Sequence, residues 1–160
     1  MSGEHIASRA LFPNGVVVRG FDWCKDDFKQ LGPDALVTKC LCRDHNAQLS
    51  PLDQAVADVR YVMTDVGNLH SIRKRRPNYP WALRHYRVNG ILFERWCFKF
   101  ICNMYAGDAF LGIKEWKPPP SVVDFVYGKN ELNPGCGMGV LVQAGESISN
   151  ENHLLVQSSF

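Results

Sequence analysis

The chain has 160 residues, 46% of them hydrophobic, which fits one domain with a core of ordinary size rather than a disordered or multidomain chain. The formal net charge of +2 excludes a protein that binds nucleic acid through its overall charge, so any basic surface must be local. The longest apolar stretch, 91–105, is interrupted by Arg95 and Lys99 and is shorter than the roughly 20 residues that span a bilayer, so we expect no membrane partner.

Two short strands are predicted before residue 41. Residues 16–19 begin with three valines and follow Asn14-Gly15, a dipeptide typical of turns. A second strand is predicted at 36–40. The charged residues at 25–27 and the Gly32-Pro33 break predict that a loop connects the two strands.

A long helix is predicted from Ser50 to about Gly67. Ser50 can cap the first turn, Pro51 suits the first helical position, and Asp53 can return a hydrogen bond to the cap. Apolar residues recur at helical spacing: Leu52, Ala55, Val56, Val59, Met63 and Val66. This spacing places them on one face, which we expect to pack on the core.

Two further helices are predicted at 90–105 and 121–128. Asn89-Gly90 marks the start of the first, which carries apolar residues at the same spacing: Phe93, Trp96, Cys97, Phe100, Ile101 and Met104. Three prolines at 118–120 form a stiff break before the second helix. A short strand is then predicted at 140–142, ahead of a polar tail.

The densest basic run lies just beyond the first long helix and consists of Arg73, Lys74, Arg75 and Arg76. It is followed by Arg84, His85 and Arg87, with Tyr79, Trp81 and Tyr86 interleaved. Cations alternating with aromatic side chains are typical of surfaces that contact phosphates and bases. A solvated linker between two helices explains the same composition equally well.

Two short segments near the start contain side chains suited to a one-metal nuclease. Hydrolysis of a phosphodiester by one divalent metal needs a base that activates water and hard oxygen ligands for the metal. His5 can act as the base, and Glu4 and Asn46 can hold magnesium or manganese through their oxygens. The alternatives are that His5 is a solvated side chain and that Asp44 and Asn46 form a turn and approach the helix cap.

The six cysteines occur without a charged and apolar leader segment, so we expect reduced thiols in the cytoplasm rather than a disulfide framework. Cys42 and His45 have the spacing of half a zinc knuckle. A tetrahedral site needs two more ligands, for which Cys24 and Cys40 are the candidates. Buried free cysteine is common, and this is the competing interpretation.

The sequence resembles the HNH, or His-Me finger, endonucleases over residues 4–66. The resemblance is carried by Glu4-His5-Ile6, by the segment at 41–46, which ends in His45-Asn46, and by the helix that follows. It implies a ββα-metal core in which His5 is the general base and Glu4 and Asn46 bind the metal. The residue that orients the base in this family would be Asp34 or Thr38. No cysteine pair precedes Glu4, which suggests a truncated or degenerate copy.

These observations predict an α+β protein with a small ββα-metal-like core at 1–68. A basic aromatic linker at 69–88 and a helical extension with short strands at 89–160 are expected to pack with it as one domain. The predicted function is hydrolysis of DNA by a metal-dependent HNH-like endonuclease, with magnesium or manganese at the active site and a structural zinc, but no small-molecule cofactor. The alternative is a catalytically inactive zinc- or nucleic-acid-binding module of the same fold.

Overall fold

The structure is a computed structural model that describes residues 2–6, 8–21, 23–35, 37–106, 116–132 and 137. Its strands are β1 (Ser2–His5), β2 (Val16–Val18), β3 (Lys29–Leu31) and β4 (Val37–Leu41). Its helices are α1 (Arg43–Gln48), α2 (Ser50–Arg75), α3 (Gly90–Ala106) and α4 (Pro120–Val126). Antiparallel strands and separate helices make this a mixed α and β protein, as predicted. The strand predicted at 140–142 lies outside the described residues.

The strands form two antiparallel pairs. β1 pairs with β4, so that Ser2 lies opposite Leu41 at one end and His5 opposite Val37 at the other. β2 pairs with β3, and both lie in the connection between β1 and β4, with Val16 opposite Leu31. The prediction of a plain loop between the two predicted strands is therefore wrong. β3 forms because its backbone completes a ladder with the valines of β2, a long-range pairing that local composition does not reveal.

α1 continues almost directly into α2. Leu49 joins them in a helical conformation (φ −90°, ψ −3°) and is buried, and no side chain caps α2. The capping box predicted at Ser50 is therefore wrong, because a cap residue needs an extended backbone whereas Ser50 is already helical. The carboxylate of Asp53 instead contacts α3.

α2 is longer than predicted, because it continues past Gly67 to Arg75. A glycine inside a helix costs only about 1 kcal/mol, which the flanking helical residues offset. The helix ends at Arg76 (φ −135°, ψ 64°), because Pro77 disfavours helical geometry in the residue before it. Residues 69–75 of the predicted linker are thus helical.

The core lies between α2, α3 and α4. Its buried residues are Leu49, Leu52, Val56, Trp96, Cys97 and Val126. Trp96 is 2% exposed, and its ring stacks between Phe93 (6.3 Å) and Phe100 (5.5 Å). Its indole Nε1 donates to Asp53 Oδ1 (3.2 Å), and the buried Lys99 ammonium lies 3.0 Å from Asp53 Oδ2. This polar contact fixes the register of α3 on α2.

Replacing Asp53 with alanine should destabilise the fold, because it removes the carboxylate beside a buried ammonium. We expect a loss of about 2 kcal/mol in the free energy of unfolding, less than for a fully buried pair because the Asp53 side chain is 36% exposed. Urea denaturation followed by circular dichroism measures it. Asp26→Ala is the exposed control, and Lys99→Met should restore stability in the Asp53→Ala background. Equal stability of the two single aspartate variants would contradict the assignment.

Two glycines with the same backbone angle provide a matched test of the β2–β3 pairing. Gly15 and Gly20 both have φ +87°, but a Cβ on Gly15 would overlap the carbonyl oxygen of Leu31, whereas a Cβ on Gly20 meets nothing within 4 Å. Gly20→Ala should therefore cost about 1 kcal/mol from backbone strain alone. Gly15→Ala should cost more and weaken amide protection in β3, measured by hydrogen exchange. Equal costs would show that β3 does not approach Gly15.

Candidate functional site

The β1–β4 ladder holds the segment predicted to carry the catalytic base. β1 ends at His5, and its register shifts between Ser2 and Glu4, where a bulge interrupts the pairing. Glu4 lies opposite Thr38 on β4. The side chains of Glu4 and Thr38 lie outside the described part of the structure.

His5 is held in place by its neighbour. Ile6 is 5% exposed and packs among Phe12, Val16, Phe21 and other apolar side chains, which anchors the end of β1. The His5 side chain is half-buried, and its Nδ1 atom is buried without a hydrogen-bond partner among the described residues. A neutral imidazole has one donor and one acceptor nitrogen, so the buried Nδ1 is a polar atom that no described group satisfies.

α1 carries the second segment and packs against β1. The chain turns into α1 directly after Leu41, which lies opposite Ser2, so α1 starts about 10 Å along the ladder from His5. Asn46 is half-buried in the second turn, and its backbone N–H donates to the Cys42 carbonyl (3.0 Å). α1 therefore contacts the strand that contains His5 and begins beyond the opposite end of that strand.

The structure brings together two of the four predicted zinc ligands. Cys42 Sγ lies 3.0 Å from His45 Nδ1, and both residues are exposed. Cys24 is buried in the bridge with Phe21, and it does not join them: the described side chains include no group of three or more His, Cys, Asp or Glu residues that could hold a metal. The side chain of Cys40 lies outside the description.

Asp34, one candidate for orienting the base, has a different contact. Its two carboxylate oxygens accept from Arg9 Nη2 at 2.6 Å each, on the protein surface. Arg9 follows β1 and Asp34 precedes β4, so this ion pair joins the two connections at the His5 end of the ladder. Asp34 therefore ties the loops together, and its carboxylate is engaged by Arg9.

The basic run lies at the end of α2 and not in a separate linker. Arg73 is turned inward: its Nη2 donates to the Ala82 carbonyl (3.0 Å), and its guanidinium lies 5.7 Å from the centre of the Trp81 ring. Lys74 and Arg76 are exposed. The four predicted nucleic-acid-binding residues therefore differ in role, because Arg73 holds the following segment and its neighbours face solvent.

The segment after α2 runs back along the helix and is held by a side-chain network that the sequence reasoning missed. Arg84 Nη1 lies 2.7 Å from Asp65 Oδ2, and the Tyr86 hydroxyl donates to the same oxygen. The hydrogen bond from Tyr86, followed by that from Arg84, lowers the pKa of Asp65. Burial, and then the hydrogen bond to Asp65, raises the pKa of Tyr86. One sequence signal was available: Asp65 is the single acidic residue within 60–88.

No family model, curated protein or solved structure matches the chain. Among the described helices, none has the length and apolar character needed to cross a membrane.

The Asp65 contact should depend on pH in a defined direction. The fold lowers the pKa of Asp65. The ionised carboxylate therefore contributes fully to the stability of the segment after α2 above the ordinary pKa of 3.8, and this stability is lost as the pH falls through the lowered pKa. Acidification below pH 3.8 should therefore release the segment after α2 before the core unfolds, seen as exchange of the Trp81 indole proton by NMR. Asp65→Asn should remove this transition. An unchanged transition in that variant would assign it to another group.

Proposed function

We propose that the protein is a metal-dependent endonuclease of the HNH type that hydrolyses DNA phosphodiester bonds. The observation that supports the proposal is the arrangement of β1, β4 and α1. β1 ends at His5, pairs antiparallel with β4, and is contacted by α1, which carries Asn46. This is the order of elements implied by the resemblance to a ββα-metal core.

In the proposed reaction, His5 accepts a proton from the attacking water. Because Nδ1 is buried and the side chain as a whole is half-buried, the other ring nitrogen, Nε2, would accept this proton. Glu4 and Asn46 would hold magnesium or manganese, and carboxylate and amide oxygens are the hard donors that these ions prefer. The bound metal would stabilise the charge that develops on the phosphate oxygens.

A structural zinc site is proposed for Cys42 and His45. Their 3.0 Å contact supports half of such a site, since a thiolate and an imidazole are ordinary zinc ligands. Cys40 and Cys24 would supply the other two ligands, and metal binding would have to bring the segments that carry them close to Cys42.

We further propose that the protein is located in the cytoplasm, where its thiols would stay reduced.

The second candidate function is a nucleic-acid-binding module that has no catalytic activity. It is favoured by the exposed cations at the end of α2, which need no metal to bind phosphate. The two candidates share a partner and differ in whether His5 performs chemistry.

Purified protein should nick supercoiled plasmid DNA in the presence of magnesium, manganese or zinc. His5→Ala should reduce the rate by a factor of about 10² or more, as expected for loss of a general base, without changing the circular dichroism spectrum. Asp26→Ala, at an exposed position between β2 and β3 and outside the proposed sites, is the control and should retain activity. Asn46→Ala should weaken manganese binding, measured by electron paramagnetic resonance.

Two results would contradict the endonuclease proposal. One is the absence of nicking by the wild-type protein with all three metals. The other is nicking that persists in His5→Ala at the wild-type rate. Binding of DNA without nicking would favour the second candidate.

A further inference from the structure

The C-terminal half of α2 and the segment that runs back along it form a basic arm, defined as residues 60–88. Seven of the 18 Lys and Arg residues but only one of the 16 Asp and Glu residues lie here, so the arm carries a formal charge of +6 and the rest of the chain −4. The single acid, Asp65, is already engaged by Arg84 and Tyr86. The arm is therefore a local electropositive surface on a molecule of nearly neutral overall charge.

The returning part of the arm, residues 76–88, contains neither helix nor strand and begins with a turn in which the Tyr79 N–H donates to the Arg76 carbonyl (3.2 Å). It is attached to α2 at two places: Arg73 donates to the Ala82 carbonyl, and Arg84 and Tyr86 bind Asp65. Trp81 Nε1 also donates to the Arg76 carbonyl (3.0 Å). These contacts order a segment that has no regular secondary structure, so its side chains are presented in a defined arrangement before any ligand binds.

Tyr79 is the exposed aromatic side chain at the tip of the arm. It is 56% exposed, and its ring centre lies 4.9 Å from that of Trp81 at an angle of 58°. Trp81 is half-buried and is contacted by the Arg73 guanidinium. Trp81 is therefore a positioning residue, and Tyr79 has ring surface available for a ligand.

Three cations flank this aromatic pair in the sequence, and their side chains have no hydrogen bond or ion pair within the described residues: Lys74, Arg76 and Arg87. All three are exposed. A polyanion can therefore reach them without breaking a contact of the fold.

We propose that the basic arm binds single-stranded nucleic acid, with phosphates at Lys74, Arg76 and Arg87 and an unpaired base stacked on Tyr79. An exposed aromatic ring between cations fits a single strand better than a duplex, because the base faces of a duplex are already stacked on one another. The inference rests on the proposed function, which supplies nucleic acid as the partner. It adds that the substrate would contain unpaired nucleotides.

Fluorescence anisotropy tests the proposal with a labelled oligothymidylate as the probe. The probe has about 20 nucleotides, which is longer than typical single-strand site sizes, and EDTA is present so that no cleavage occurs. Tyr79→Ala should weaken binding about tenfold, and Tyr79→Trp should retain it. Phe28→Ala, which removes an aromatic side chain that is 71% exposed elsewhere in the chain, is the matched control and should have no effect.

The cations are tested through the salt dependence of the same binding. The triple variant Lys74→Gln, Arg76→Gln, Arg87→Gln should lower the slope of log affinity against log salt by about 2, since each single-strand phosphate contact contributes about 0.7. Lys117→Gln, an exposed cation outside the arm, should leave the slope unchanged.

The outcomes separate this proposal from the proposed nuclease activity. Binding in EDTA that depends on Tyr79, without nicking under any metal, would support the arm and contradict the nuclease. Nicking without detectable oligothymidylate binding would support the nuclease and contradict single-strand binding by the arm. Tighter binding of a duplex of equal length, or an unchanged affinity in Tyr79→Ala, would overturn the single-strand assignment.

Discussion

The contact between α2 and α3 around Trp96 is the constraint on which the rest of the structure depends. The ring of Trp96 stacks with those of Phe93 and Phe100 on α3, and the hydrogen bond from its indole to Asp53, together with the Lys99–Asp53 ion pair, sets the position of α3 on α2. Leu41, at the end of β4, packs against the same cluster, and Leu49 between α1 and α2 belongs to it. The placement of α1 on β1 therefore follows from the packing of the two long helices.

The same contact explains why α2 has two different halves. Leu52, Ala55 and Val56 are buried against α3, but Met63 and Val66, on the predicted continuation of that apolar face, are 62% and 45% exposed. Helical periodicity indicates which face is apolar, but not how far the partner element extends along it. Here α3 begins only at Gly90, and the chain before it, which is neither helix nor strand, contacts the second half of α2 at Arg73 and Asp65. Among the described residues, no helix packs on this half of α2, and the basic arm lies there instead.

Local patterns predicted the elements of the fold better than their contacts. The strand at 16–18 and the helices at 90–106 and 120–126 follow from β-branched runs, apolar spacing and proline breaks, which act over a few residues. Asp53 and Asp34 show where this reasoning stops. Local spacing suggested Asp53 as part of a helix cap, and the family resemblance offered Asp34 as one of two candidates for orienting the base. In the structure they bind partners distant in sequence, Lys99 and Arg9. Tertiary packing decides which group a carboxylate binds, and this packing cannot be predicted from local patterns in one sequence.

α2 also determines how the two proposed sites relate to each other. Its first turn adjoins α1, and its last turn carries Lys74, so the ends of this 26-residue helix are about 39 Å apart. At roughly 3.4 Å per nucleotide along one strand, that length corresponds to about eleven nucleotides. A phosphate bound by the end of the arm is therefore not the phosphate that His5 would attack, and a strand that engaged both sites would have to follow the helix for most of its length. Short substrates would engage one site at a time, so binding at the arm and hydrolysis near His5 are physically separable properties of one chain.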